Sequence, residues 1–124
     1  MNDNSPAQTL ADRYVAVWNE PDAAARRHAI AALWTPDGAH CVGTREVRGL
    51  EALQERVSGA YEKNVRDNGR RFRAVRDARQ LRDVLSFHWE MVEPASGEVL
   101  ATGLEFLQLD EAGLIRRDYQ FIVG

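Results

Sequence analysis

Apolar and polar residues alternate through the last quarter of the chain, from Glu98 to Val123. Its two halves are rich in Val, Leu, Ile, Phe and Tyr, and residues 110–113 between them, Asp-Glu-Ala-Gly, have the composition of a tight turn. This pattern predicts a β-hairpin of two long strands. Because side chains alternate between the faces of a strand, two sets of residues each share a face. These sets are Ala101, Gly103, Glu105 and Leu107 on one strand, and Asp118, Gln120 and Ile122 on the other.

The polar residues inside this apolar hairpin are its unusual feature. If their face points inward, Glu105, Asp118 and Gln120 converge on one enclosed space. The alternatives for Glu105 are a solvated edge position or an ion pair with an arginine. The alternative for Asp118 and Gln120 is that they face solvent while Tyr119 and Phe121 face the core. Alternation by itself leaves both orientations open.

Three segments before the hairpin have the residue spacing of amphipathic helices. The first begins at residues 5–8, where Gln8 can complete a capping box, and ends near Asn19, ahead of a proline. The second begins at Asp22 and ends in a turn at residues 36–38. We expect residues 1–5 to be a disordered end.

The third helix has the clearest apolar stripe, and Gly69 closes it. Its apolar residues step by three and four positions: Leu50, Leu53, Val57, Tyr61 and Val65. Short strands are predicted at 39–43 and 46–48 before this helix. Longer strands are predicted at 70–80 and 81–92 after it.

Three helices followed by four long strands predict an α+β domain. We expect the helices to pack in the concave face of a curved, mostly antiparallel sheet, in a single domain of 124 residues. The interior of such a half-open cone is too deep for its own side chains to fill. A small hydrophobic molecule is therefore the expected ligand.

Composition excludes several other classes of function. The net charge of −3 does not favour nucleic-acid binding, and no run of about 18 apolar residues predicts a membrane span. The single cysteine, Cys41, and an N-terminus without a signal-peptide pattern favour a cytoplasmic location. Neither metal-ligand spacing nor a glycine-rich phosphate loop is present, so we expect no metal and no cofactor.

Four segments resemble the nuclear transport factor 2-like superfamily, in particular its SnoaL-like polyketide cyclase and ketosteroid isomerase branches. They are RYVAVWNEPD at 13–22, AALWTPDGA at 31–39, VRGLEAL at 47–53 and GLEFLQLDEAGLI at 103–115. The resemblance covers residues 10–123. It implies a cystatin-like α+β cone with an enclosed pocket.

The ketosteroid isomerase pattern implies roles for two residues. Tyr14 lies eight residues before Asp22, as does that family's oxyanion-hole tyrosine before its own aspartate. Glu105 lies where that family has the protonated oxyanion-hole acid. The family's general-base aspartate falls near Val42, and no carboxylate stands there. His40 lies on the same strand face as Val42 and is the candidate base instead.

The related cyclases and dehydratases use a His and an Asp in the same kind of cavity. That resemblance implies that Asp118 holds His40 in one tautomer. Tyr14 and Glu105 would then donate to a developing oxyanion. The less specific interpretation is a structural His40, and a Tyr14 that only packs in the core.

The remaining candidate residues are expected to line the cavity, although core packing explains the aromatic ones equally well. They are Trp18, Trp34, Val42, Phe72, Phe87, Trp89, Met91, Gly103, Gln120 and Ile122. The outer face of the last strand carries Tyr119 and Phe121. The resemblance implies that this face forms a homodimer.

Two functions therefore remain open. One is a cofactor-independent isomerase, dehydratase or cyclase that acts on a hydrophobic carbonyl compound. The other is a non-catalytic ligand-binding or dimerisation module.

Overall fold

The computed structural model describes residues 5–124, which form three α-helices, a π-helical segment and seven β-strands. The helices are α1 (Pro6–Asn19), α2 (Ala23–Leu33) and α3 (Leu50–Ala60), and the π-helical segment (Tyr61–Arg66) continues α3. The strands are β1 (Trp34–Val42), β2 (Arg45–Arg48), β3 (Arg71–Ala74), β4 (Arg79–Leu81), β5 (Val84–Glu93), β6 (Glu98–Leu109) and β7 (Ile115–Ile122).

The strands form one curved, open sheet in the order β2-β1-β7-β6-β5-β3, and β4 also pairs with β5. The pairing of β1 with β7 is parallel, and the other pairs are antiparallel. The helices cover one face of this sheet, and their buried side chains meet those of the sheet in one core. The predicted α+β architecture is therefore confirmed.

The core is apolar on both sides of the helix–sheet interface. The helices contribute Ala11, Ile30, Leu33, Leu53 and Val57, and the sheet contributes Leu85, Phe87, Leu107 and Ile115. Each of these side chains is at most 2% exposed. Removing this much apolar surface from water is the main stabilising contribution to the fold.

The start of α1 follows the prediction in part. The Oγ atom of Ser5 accepts a hydrogen bond from the backbone N–H of Gln8, and Pro6 occupies the first turn. The capping-box prediction is wrong, because the Gln8 side chain donates to the carbonyl of Val75 and accepts from the N–H of Ala78. Gln8 therefore holds a distant segment against α1. Of residues 1–5, which were predicted to be disordered, residues 1–4 lie outside the described residues and Ser5 caps α1.

Strand β1 begins earlier than predicted. Residues 36–38 do not end α2 in a turn; they lie within β1, where the register with β7 shifts between Trp34 and Ala39. At Gly38 a Cβ atom would lie 2.7 Å from Cδ1 of Trp34, so this irregularity needs glycine.

The predicted strand at 70–80 is two strands, β3 and β4, so five strands follow α3 instead of four. Residues 75–78 interrupt the pairing with β5. The strand predicted from residue 81 begins at Val84, after a turn in which Arg82 has a φ of 53°. The predicted hairpin turn at residues 110–113 is present between β6 and β7.

Replacing Gln8 with alanine should lower the free energy of unfolding by about 1–3 kcal/mol, because two part-buried backbone groups lose their partner. The control is Gln80→Ala, which removes an exposed side chain and should cost less than about 0.5 kcal/mol. Urea unfolding of both variants measures the difference. Equal losses would contradict the role assigned to Gln8.

Candidate active site

The sheet register places the polar residues of the hairpin in two adjacent rows. In one row Asp118 is paired with His40 on β1 and with Leu107 on β6. In the next row Gln120 is paired with Val42 and with Glu105. Directly paired residues point to the same face of a sheet, and both rows face the helices. Glu105 and Asp118 are both 0% exposed and His40 is 1% exposed.

Tyr14 joins the two buried carboxylates. It lies on α1, is 2% exposed, and its hydroxyl lies 2.5 Å from Oδ2 of Asp118 and 3.2 Å from Oε2 of Glu105. A phenol has one proton, so it donates to one of the two carboxylates and accepts from the other. The shorter distance assigns the donated proton to Asp118. The remaining contact then requires a proton on Glu105.

The electrostatics agree with a protonated Glu105. Burial, and next the charge of Asp118, raise the pKa of Glu105 well above its ordinary value. Burial and the two neighbouring carboxylates also raise the pKa of Tyr14 well above its ordinary value, which keeps the phenol protonated. Within residues 5–124, neither carboxylate forms a salt bridge with an arginine or a lysine. Two carboxylates this close without an arginine or a lysine are expected to retain one proton between them.

Trp89 completes this network from β5. Its indole Nε1 donates to Oε1 of Glu105 at 2.8 Å. The ring reaches Glu105 by lying over Gly103, its cross-strand partner on β6. A Cβ atom at Gly103 would lie 2.1 Å from Cε2 of Trp89, so only glycine leaves room for this ring position.

His40 contacts Gln120 more closely than Asp118. Its Nε2 lies 3.1 Å from Oε1 of Gln120 and 3.7 Å from Oδ2 of Asp118. The second distance is compatible with charge attraction and too long for a hydrogen bond. The other ring nitrogen, Nδ1, has no hydrogen-bond partner among residues 5–124. The Trp18 ring lies 5.5 Å from the imidazole, measured between ring centroids.

His40, Glu105 and Asp118 place one potential metal-ligand atom each within 4.8 Å of one another. Tyr14 and Trp89 already donate hydrogen bonds to the carboxylate oxygens of this group. The arrangement therefore suits a shared proton better than a metal ion.

A cavity of about 700 Å³ lies above this network. Its volume is in the range usual for small-molecule sites. The predicted residues that line it are Tyr14, Trp18, Val42, Phe72, Trp89, Met91, Gln120 and Ile122. It reaches the surface at exposed residues that include Thr44 and Glu55.

The other predicted site residues lie behind the cavity wall. His40, Glu105 and Asp118 form the buried polar layer beneath Tyr14 and Gln120. Trp34 and Phe87 pack against the Tyr14 ring in the core, with centroid distances of 5.6 and 5.5 Å. Gly103 supports the Trp89 ring instead of contacting the cavity.

Three cationic residues at the cavity were not predicted: Arg45, Arg56 and Lys63. Arg56 and Lys63 lie on α3 and the π-helical segment, beside the apolar stripe. In the sequence, only their position next to that stripe could have indicated that these cations line the cavity.

Comparison with known proteins identifies the fold. No protein-family model and no curated protein matches the chain. A candidate isomerase of the SnoaL-like family from Agrobacterium tumefaciens has a TM-score of 0.85 and 24% identity, over 95% of this chain and 97% of that one. A protein of unknown function from Exiguobacterium has a TM-score of 0.70 and 17% identity, over 92% and 98%.

A candidate ketosteroid isomerase from Kribbella flavida has a TM-score of 0.68 and 15% identity, over 100% of this chain and 82% of that one. This chain has the nuclear transport factor 2-like fold. The comparison confirms the fold that the resemblance implied. At these identities it establishes the fold alone, and the chemistry has to be argued from the site residues.

Replacing Gly103 with alanine should lower the free energy of unfolding by about 1–3 kcal/mol, because the added methyl group displaces the Trp89 ring. The matched control is Gly59→Ala, where nothing lies within 4 Å of the new Cβ atom. In helix α3 that change should stabilise by about 0.5–1 kcal/mol. Urea unfolding should therefore show a lower free energy of unfolding for Gly103→Ala and a higher one for Gly59→Ala. A neutral Gly103→Ala would mean that Trp89 is not seated on Gly103.

Glu105→Gln should become more stable relative to the unchanged protein as pH rises. The folded-state pKa of Glu105 lies above its ordinary value of 4.5. The protonated side chain therefore contributes its full stabilisation below pH 4.5. This stability is lost as pH rises towards the folded-state pKa, because the unfolded chain ionises first. The amide cannot ionise and still accepts from Trp89.

Melting temperatures measured between about pH 4 and 8 test this expectation. The control is Glu111→Gln in the exposed hairpin turn, whose difference from the unchanged protein should not vary with pH. Parallel pH profiles for Glu105→Gln and the unchanged protein would contradict a protonated Glu105.

Proposed function

We propose that the protein binds a hydrophobic carbonyl compound in this cavity and catalyses its isomerisation, dehydration or cyclisation without a cofactor. One observation carries the proposal. Tyr14 lines the cavity, and its hydroxyl is hydrogen-bonded to the buried carboxyl groups of Glu105 and Asp118. A proton donor is thus held at the edge of an apolar binding space.

In this proposal the Tyr14 hydroxyl turns its one proton from Asp118 to the substrate carbonyl, and the proton on Glu105 takes its place at Asp118. When an α-proton is removed, negative charge develops on the carbonyl oxygen, and a preorganised O–H group stabilises that charge in a water-poor site. Glu105 carries the proton that keeps the tyrosine network neutral. A protonated Glu105 can donate towards Tyr14 or Asp118, whereas an ionised one can only accept.

His40 is the base in this proposal. Its Nδ1 is free of partners among residues 5–124, while Nε2 faces Gln120 and Asp118. The imidazole is separated from the cavity by Gln120 and Trp18, which both line it. The substrate must therefore displace one of these two side chains to meet His40, and Asp118 would stabilise the imidazolium that forms.

The second candidate is a non-catalytic ligand-binding module. The burial of His40, Glu105 and Asp118 favours it, since none of the three reaches the cavity surface. In this case Tyr14 and Gln120 orient a ligand by hydrogen bonds, and the buried carboxylates only fix Tyr14. Trp18 and Trp89 lie in the cavity wall and do not fill the cavity. The cavity is therefore compatible with either function.

Two further expectations accompany the proposal. Tyr119 and Phe121 are 39% and 55% exposed on the outer face of β7, and apolar exposure of this kind suits a homodimer interface. The single thiol, Cys41, suits a reducing, cytoplasmic location. Among residues 5–124, no helix has both the length and the apolar content needed to cross a bilayer.

A ligand screen is the first step of the test. Steroids, polyketide aromatics and small ketones are screened by thermal shift, because a ligand that binds only the folded state raises the melting temperature. Ketones that bind are then incubated in D₂O, and exchange of their α-protons is followed by NMR. This readout detects enolisation whatever the final product.

Tyr14→Phe should lower the rate of α-proton exchange by about 10²-fold to 10³-fold, because the oxyanion loses its donor. The matched control is Tyr61→Phe, which removes a hydroxyl outside the cavity lining and should leave the rate unchanged. Binding without exchange in the unchanged protein would favour the ligand-binding module. Exchange that survives in Tyr14→Phe would refute the role of Tyr14.

A further inference from the structure

The mouth of the cavity is cationic, in contrast to its acidic floor. Arg45 at the start of β2, Arg56 on α3 and Lys63 on the π-helical segment all line it. Glu55 is the only acidic side chain in the lining formed by residues 5–124. Glu55 and Arg56 are adjacent on one helix, and adjacent helical residues do not face each other.

None of these three cations has a salt bridge or a side-chain hydrogen bond within residues 5–124. Some arginines elsewhere on the surface are paired, for example Arg48 with Glu46 and Arg73 with Glu90. What distinguishes Arg45, Arg56 and Lys63 is that they line one cavity together. An unpaired cation at the wall of a binding space is available to a ligand.

Arg56 is the most constrained of the three. It is half-buried, its guanidinium lies 5.4 Å from the centroid of the Trp18 ring, and its buried Nε atom has no partner among residues 5–124. Burial, and next repulsion from Arg45, lower the pKa of Arg56. A half-buried guanidinium with no anionic partner is destabilising, because it has lost part of its hydration. An anion that reached it would therefore be bound strongly.

The π-helical segment contributes to this mouth. A π-helical turn inserts an extra residue relative to α-helical spacing and often occurs at functional sites. Here it follows α3 directly and adds Lys63 and Asn64 to the cavity lining. Lys63 is exposed, so it can approach a ligand from the solvent side.

We infer that the ligand of this cavity carries a carboxylate, held by Arg56 with Arg45 and Lys63, at the end opposite its carbonyl group. This deepens the proposed function and rests on the same cavity. The centroid of the Trp18 ring lies 5.4 Å from the Arg56 guanidinium and 5.5 Å from the centroid of the His40 imidazole, and Trp18 lines the cavity. An apolar body packed beside Trp18 would therefore link the carboxylate at the mouth to the carbonyl near Tyr14, which describes an aromatic or alicyclic oxo-acid.

Matched pairs of ligands test this inference. The probes are aromatic oxo-acids of one to three rings that carry α-protons, 4-acetylbenzoic acid among them, each with its neutral methyl ester. Their dissociation constants are measured by calorimetry at low ionic strength on the unchanged protein. The acid of at least one pair should bind about 10-fold more tightly than its ester, since a guanidinium recognises a carboxylate by charge-assisted hydrogen bonds.

Arg56→Met keeps an apolar stem over Trp18 and removes the charge, so the acid should lose its advantage over the ester. The control is Arg73→Met, at an exposed position of β3 outside the cavity lining. In this variant the acid should still bind more tightly than its ester. A melting curve for each variant shows that it is folded. An aryl phosphate ester measured beside the acid shows whether the site prefers a carboxylate.

Three results would overturn the inference: equal binding of acids and esters, an acid preference that persists in Arg56→Met, or no binding of any acid in the panel. Tighter binding of the phosphate ester than of the acid would overturn its assignment to a carboxylate. If acids and esters bound equally but the protein exchanged the α-protons of a bound ketone, the proposed function would still stand. Acid-selective binding without exchange would support the carboxylate site while refuting catalysis.

Discussion

Two carboxyl groups buried side by side, with no arginine or lysine of residues 5–124 paired to them, are the constraint on which the rest of the site depends. Glu105 and Asp118 are both inaccessible to solvent and meet at the Tyr14 hydroxyl. Two unpaired charges at this depth would be prohibitively costly, whereas one charge and one proton, satisfied by hydrogen bonds, can be accommodated. The raised pKa of Glu105 favours the arrangement with one charge and one proton.

The surrounding structure maintains that arrangement. Parallel pairing of β1 with β7 brings His40 level with Asp118, and the antiparallel hairpin brings Glu105 level with Gln120. Gly103 allows the Trp89 ring to donate to Glu105. Helix α1 supplies Tyr14, which, like Trp89, belongs to the network and also lines the cavity.

The sequence was sufficient to predict the face of each strand and the segregation of helices from strands. Alternation placed Glu105 and Asp118 on shared faces, and the resemblance directed those faces inward. Register was harder to predict, because a one-residue shift moves every side chain to the other face and no single-strand pattern reports it. The contacts of Trp89 with Gly103 and of His40 with Gln120 depend on register, so the sequence did not reveal them.

The other differences arise from long-range contacts. The break between β3 and β4 is fixed by Gln8, which lies in a helix far from it in the chain. The cationic mouth was missed because Arg56 and Lys63 lie outside the apolar stripe of α3 and would ordinarily be interpreted as solvated. Their lack of acidic partners appears only in three dimensions.

The protonation of Glu105 is the central claim, and infrared spectroscopy measures it directly. A protonated carboxyl group absorbs at a higher C=O stretching frequency than a carboxylate, so a difference spectrum between the unchanged protein and Glu105→Gln isolates this group. At neutral pH the spectrum should show a protonated carboxyl band that the variant lacks. A carboxylate band in its place would show that Glu105 is ionised and would contradict the shared-proton network.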